Sequence, residues 1–332
     1  MRMGRTAFFI LLPFASMAAA ADKLPALHAD PARVSVSGLS SGAFMAVQYD
    51  VAFSGSVIGV GVVAGGPYNC AWVNLGGITT CMQGAPSGAA SYGAASSFAA
   101  IGMVDPVANI AKQKVYLFSG TKDIVVRQSA MNAVRDFYTA ARVPAANLRY
   151  VRNTPAGHAF LSGNFGSVCG ANAAPFVNEC KVGAQYYDQP GAILSHIYGP
   201  LRPKPATLSA QPIAFDQSEF AGATGSGMAP TGYVYVPAAC RDGGGPCAVH
   251  VVFHGCLQSA DLVGDAVYNR LGYNAWADAN RIITLYPQVN KSTFPANPQG
   301  CWDWWGYSGL NFQTQSGAQL SAIHAMVQRL TS

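Results

Sequence analysis

The chain has 332 residues, half of them hydrophobic and 11% charged, with a formal net charge of +5. That balance predicts a large core under a surface of Ser, Asn, Gln, Thr and Gly, with Glu179 and Glu219 the sole glutamates. Lys and Arg form no run, and a nucleic-acid groove needs a concentrated basic patch, so that class of partner is excluded.

The opening MRMGRTAFFILLPFASMAAAAD sets Arg2 and Arg5 before an apolar run, Ala7–Ala15, and small residues up to Ala21. The pattern predicts a secretory signal peptide over 1–21, cleaved after Ala20 or Ala21, and the run is short for a membrane anchor. Residues 22–332 are then expected to form one catalytic domain, soluble, monomeric and exported to the periplasm or the medium, with no membrane span.

Next comes VSVSGLSSGAF, where Gly38-x-Ser40-x-Gly42 matches a nucleophile elbow, a strand turning sharply into a helix with a serine at its tip. The rival reading is a small residue in a flexible loop, and among 36 glycines the match alone carries little. The flanks favour the elbow: Arg33–Ser37 alternates as a strand does, and Ala43–Tyr49 suits a helix. Val57–Val63 reads as a buried strand, and Lys114–Ser119 as another that leads through Gly120-Thr121-Lys122 to Asp123. Ser129–Ala141 reads as a helix with Met131, Val134 and Tyr138 on one face. Leu148–Val151 is a short strand running into Asn153-Thr154-Pro155-Ala156-Gly157-His158. The proline-rich Gly199–Ser209 is either a domain boundary or a connection within one domain. A second series follows: strands at Thr231–Val236 and Val249–Phe253, the latter ending in His254-Gly255-Cys256, a helix at Tyr273–Asn280 and a strand at Ile282–Tyr286. Strands alternating with helices predict an α/β fold with a mostly parallel central sheet.

Eight cysteines in an exported chain predict structural disulfides. Three pairs are close neighbours, Cys70/Cys81, Cys169/Cys180 and Cys240/Cys247; Cys256 and Cys301 remain and would close a longer loop, although spacing does not prove connectivity. Zinc ligation is disfavoured because no C-x-x-C occurs and the histidines lack ligand intervals.

Ser40, Asp123 and His158 each follow a strand-like run, in the order nucleophile, acid, base. Serine needs a base to take its proton, imidazole serves near neutral pH, and a carboxylate fixes the tautomer and steadies the imidazolium. Alone, Asp123 could be a turn residue and His158 a polar loop residue; their joint order points to a triad. His28, His196, His250 and His324 lack that setting. An α/β-hydrolase has several strands before its elbow, including one whose loop supplies an oxyanion N–H, and here they are missing. The series ending in VHVVFHGC fits the gap, so the expectation is a circularly permuted α/β-hydrolase.

GLSSG, SGTKD, AGHAF, FHGCLQ and NPQGCWDWWGY, in this order across the mature chain, resemble extracellular poly(3-hydroxybutyrate) depolymerases of the circularly permuted, single-domain type. Single motifs also resemble feruloyl and acetylxylan esterases, but those carry HGC before the serine. The resemblance implies Ser40 as nucleophile, Asp123 as orienting acid and His158 as base, with backbone N–H groups of Ser41 and Cys256 as the oxyanion hole. It places Cys256 in a bridge to Cys301 rather than as a free nucleophile, and it requires no metal or organic cofactor. Trp305, and after it Trp304, are expected to hold the apolar ester chain, with Tyr68 and Asn69 as a further wall. The expected substrate is the polyester or its oligomers; another polysaccharide or polyester ester is the rival, and a catalytically silent polymer-binding protein the third reading.

Overall fold

The computed structural model describes residues 22–222, 225–241 and 245–332; the predicted signal peptide lies outside them. The strands β1 (Val34–Leu39), β2 (Val57–Val63), β3 (Lys114–Phe118), β4 (Leu148–Val151), β5 (Ile213–Asp216), β6 (Thr231–Tyr235), β7 (Ala248–Phe253) and β8 (Ile282–Tyr286) form one sheet. Its order is β5-β6-β8-β7-β1-β2-β3-β4. From β8 across to β4 every pair is parallel, and β6 runs antiparallel to both neighbours. The main helices are α1 (Ser41–Ala52), α2 (Gly88–Ala100), α3 (Gln128–Ala140), α4 (Gln189–Tyr198), α5 (Tyr273–Asn280) and α6 (Ala318–Thr331).

Helices cover both faces of this sheet, so its central strands are buried on both sides and read as apolar runs. Val36, Val60, Val62, Val115 and Val251 pack with α1, α3 and α6 on one side. Leu39, Val63, Phe118 and Val252 pack with α4 and α5 on the other. The serines of β1 are no exception to burial. Ser35 and Ser37 lie inside and hold the two ring nitrogens of His250 on β7, at 2.6 and 2.8 Å. Tyr198 and Tyr273 complete the chain, each 2.7 Å from one serine hydroxyl. Burial lowers the His250 pKa to about 3, so the ring stays neutral and serves both serines. Asp50 of α1 is also buried and accepts from the Tyr138 hydroxyl at 2.8 Å; burial raises its pKa to about 7.

Helix α4 starts where Asp188 accepts the Gly191 N–H and Pro190 fixes the first turn, and stops at Gly199 with φ 86°. The proline-rich stretch after it lies along α5, with Arg202 N–H bonded to Asn280 and Ser209 N–H to Asp278. It connects two halves of one sheet. The strands expected after His158 thus flank β1 from the other side, which is the α/β-hydrolase sheet with a permuted chain order. Both ends of the described chain meet: His28 N–H donates to Ser332 O and Ala29 N–H to Leu330 O.

Candidate active site

Four loops gather at the carboxyl edge of the sheet, where open α/β sheets place their ligands. At the first, Ser40 has φ 57° and ψ −123°, a conformation costing about 1–3 kcal/mol for a residue with a side chain. The glycines on either side are steric necessities. A Cβ on Gly38 would lie 2.1 Å from the Gly42 carbonyl oxygen, and one on Gly42 2.3 Å from that of His254. Ser40 N–H donates to Val63 O at 3.0 Å, which ties the turn to β2. Ser41 opens α1, so its N–H has no partner within the helix.

After β3, Asp123 accepts the N–H groups of Val125 and Val126 on Oδ1, both at 2.8 Å. Its Oδ2 faces Nδ1 of His158 at 2.8 Å, and both side chains are almost wholly enclosed. A carboxylate so occupied requires the proton on Nδ1, which leaves the Nε2 lone pair available as a base. The His158 loop is seated by Gly157, where a Cβ would come within 2.1 Å of Ala171 O.

After β7, the register Gly38 with Phe253 brings His254-Gly255-Cys256 alongside Ser40. A Cβ on Gly255 would sit 3.4 Å from the Ser40 Cβ, so this loop borders Ser40. Gln258 accepts the Gly255 N–H at 2.7 Å and donates to Pro175 and Phe176 carbonyls, both at 3.0 Å. The Phe176 ring meets His158 edge to face at 6.3 Å, so the fourth loop is fastened to the His158 loop.

No protein-family model matches the chain. A poly(3-hydroxybutyrate) depolymerase of Delftia acidovorans is 44% identical over 320 residues, 94% of this chain, although the chain spans 62% of that protein. The polyhydroxybutyrate depolymerase of Talaromyces funiculosus is 38% identical over 343 residues, covering 99% of this chain and 97% of the relative. This chain belongs to the poly(3-hydroxybutyrate) depolymerase family. The crystal structure of PHB depolymerase from Penicillium funiculosum matches with a TM-score of 0.85 at 37% identity, over 93% of this chain and 98% of that one. A second solved structure, a serine-to-alanine PHB depolymerase complexed with an R3HB trimer, matches equally.

In this family member the disulfides are Cys70–Cys81, Cys169–Cys180, Cys240–Cys247 and Cys256–Cys301, with no free cysteine among the described residues. Cys256 is therefore no thiol nucleophile. Its bridge draws in the tryptophan segment, which lies along α1: Trp302 N–H donates to Ser41 Oγ at 3.3 Å, and Gln48 to Asp303 O at 2.9 Å. The three tryptophans differ. Trp302 is fully buried, and Trp304 is also enclosed, stacked on Phe44 at 4.0 Å beside the Cys70–Cys81 bridge. Trp305 keeps an accessible face, edge-on to Trp304 and against Tyr307. Trp304 thus packs inside the structure, which leaves little of its ring free for the expected substrate wall. The same holds for Tyr68, whose ring is in the core and whose hydroxyl donates to Gln313 O at 2.8 Å. Asn69 turns into the next short helix at φ 51° with its side chain nearly enclosed.

Two supporting residues escaped the sequence reading. Asn172 accepts the His158 N–H at 2.8 Å and donates to Lys122 O at 3.1 Å, stitching the His158 loop to the Asp123 loop. Asp303 is buried and collects four backbone N–H groups: Trp305, Gly306 and Tyr307 on Oδ1, Ser308 on Oδ2. A carboxylate between tryptophans was the available signal, because a charge there is retained only if the backbone satisfies it.

Proposed function

We propose that this chain is a secreted serine esterase that hydrolyses poly(3-hydroxybutyrate) or its oligomers. The observation that carries the reading is Ser40 on a strained elbow, at one edge of the sheet with the bonded Asp123–His158 pair and with the 254–256 loop at its side. Ser40 Oγ attacks the ester carbonyl while His158 Nε2 takes its proton; the oxyanion forms between the N–H groups of Ser41 and Cys256. Collapse expels the alkoxide, which leaves with the proton from His158, and water activated by the same nitrogen releases the acyl-enzyme. Asp123 keeps Nδ1 protonated throughout. Neither a metal nor an organic cofactor enters this cycle.

Support for the substrate class comes from the relatives and from the R3HB trimer held by the solved one. Trp305 offers its free face to the ester chain, with Asn69 at the margin. Trp72 donates its indole N–H to Trp305 O and is half exposed, so apolar surface continues outward and suits a monomeric domain working on a solid polymer. Four disulfides fit an extracellular or periplasmic setting.

The test is clearing of a poly(3-hydroxybutyrate) suspension by the purified protein beside its Ser40→Ala variant. Clearing by the parent alone, with release of 3-hydroxybutyrate or its oligomers, is expected. Clearing by Ser40→Ala removes Ser40 as nucleophile, whereas Ser40-dependent cleavage of feruloyl or acetyl esters without clearing moves the enzyme to plant polysaccharide.

A further inference from the structure

The Ser41 N–H is aimed by α1, but the second oxyanion donor sits in a loop beside a glycine, the residue with the widest backbone freedom. Two buried side chains remove that freedom. We propose that His254 and Gln258 clamp Gly255 at its carbonyl and its N–H, and so aim the Cys256 N–H at the reacting carbonyl. They are positioning residues, and the inference rests on the oxyanion assignment made above.

The proton on His254 is assigned by its neighbours. Nε2 faces the Val289 N–H at 3.1 Å, and an N–H can only donate, so Nε2 is bare and Nδ1 carries the proton. Nδ1 then donates to the Gly255 carbonyl at 2.7 Å. The Gly255–Cys256 bond is trans, since cis bonds occur among the described residues at Ala174–Pro175 and Phe294–Pro295. In a planar trans peptide C=O and N–H point in opposite directions, so holding the Gly255 carbonyl fixes the direction of the Cys256 N–H. Burial keeps the ring neutral, with its pKa lowered to about 4, and the tautomer persists through the neutral range.

Gln258 completes the clamp from the other end. Its Oε1 takes up the Gly255 N–H, which would otherwise compete as an adjacent donor, and its amide nitrogen is braced by Pro175 and Phe176. Beyond Cys256, Leu257 N–H donates to Gln299 O at 2.7 Å, and the Cys256–Cys301 bridge holds the side chain. The donor is therefore fixed before substrate arrives. Such preorganisation is what makes an oxyanion hole effective, because no reorganisation is left for the transition state.

The experiment compares His254→Gln, which loses the donor at the δ position, with His254→Asn, which keeps an amide N–H there. Turnover of p-nitrophenyl butyrate is measured together with affinity for a trifluoromethyl ketone, whose adduct on serine carries an oxyanion. Losing an oxyanion donor outright costs about 100- to 1,000-fold in kcat, and a misaimed one should cost about 10- to 100-fold. His254→Gln is expected to lower kcat and ketone affinity together by that factor with KM within about twofold, and His254→Asn to recover most of both. Retained kcat and affinity in His254→Gln, or an equal loss in His254→Asn, overturn the clamp. Should His254→Gln fail to fold, Gln258→Leu reads the other end: about tenfold weaker ketone binding is expected, and unchanged binding overturns it. Ser40→Ala runs in parallel. Activity surviving there condemns the serine esterase reading, while a wild-type enzyme without tight ketone binding condemns the oxyanion assignment.

Discussion

Around Ser40 the two sides of the site are built differently. The Asp123 and His158 loops follow β3 and β4, lie close in the chain, and are joined by short contacts: the Asp123–His158 pair, the Asn172 stitch and the close approach of Gly120 to Ala156. The side formed by the 254–256 loop and the tryptophan segment is assembled from the far half of the chain by a disulfide, a buried carboxylate and buried His and Gln side chains. On the proposed roles, the groups that move protons rest on local geometry, whereas those that polarise and bind rest on a long-range frame.

This contrast can be broken from either side. Asp123→Asn puts an amide against Nδ1 and favours the wrong tautomer; kcat should fall about 10,000-fold with little change in thermal stability, measured by ester turnover and calorimetry. Removing the Cys256–Cys301 bridge with paired serines frees a loop of sequence separation 45, and should cost about 4 kcal/mol along with activity. The Cys240–Cys247 bridge, separation 7, should cost about 2 kcal/mol in denaturant titration and leave kcat unchanged. Equal kcat in the two disulfide variants would contradict the framing role. Asp303→Asn deprives Ser308 of its acceptor and loosens the Trp305 loop; it should lower stability by about 2 kcal/mol and raise KM severalfold with kcat nearly constant.

Acid should act first on the far half. His250 and His254 have folded pKa values of about 3 and about 4, below the unfolded value of about 6.5, so the unfolded chain binds more protons as pH falls through 6.5. Stability is therefore full above that pH and is lost on acidification, until the folded values are reached. Asp50, raised to about 7, works in the opposite sense: its contribution is full below the unfolded carboxylate value and is lost as pH rises towards 7. From pH 6 to 5 the balance is a loss of about 1 kcal/mol, and Asp50→Asn should increase it to about 2 kcal/mol in unfolding titrations. An Asp50→Asn protein with the unchanged slope would discard that offset.

The sequence disclosed the side of the site that is local. Gly38-x-Ser40-x-Gly42, Asp123 after β3 and His158 after β4 are each readable because a few neighbouring residues determine the turn. The helix expected at Ser129–Ala141 starts and ends one residue earlier, at Gln128 and Ala140. Helix α2 went unread because its Gly, Ala and Ser residues draw no apolar stripe. Gln258 was hidden for another reason: its partner Phe176 is 82 residues away, and no spacing announces such a contact. The burial of Tyr68 and Trp304 was not legible either, because nearness to a cysteine or tryptophan in sequence says nothing about which way a ring faces.

The permuted order also affects how the polypeptide matures. β1, the middle strand, is made early, and β2 soon offers it one edge; its other partner, β7, lies 215 residues downstream, as the Ser35–His250 bond records. Until synthesis reaches that point an apolar strand edge waits uncovered, inviting association with other nascent chains. Non-local pairing of this kind also slows folding. Yield at high expression should therefore be limited by assembly of the nascent chain rather than by the stability of the finished enzyme, and chaperone supply, not cooling of the product, is the variable to adjust.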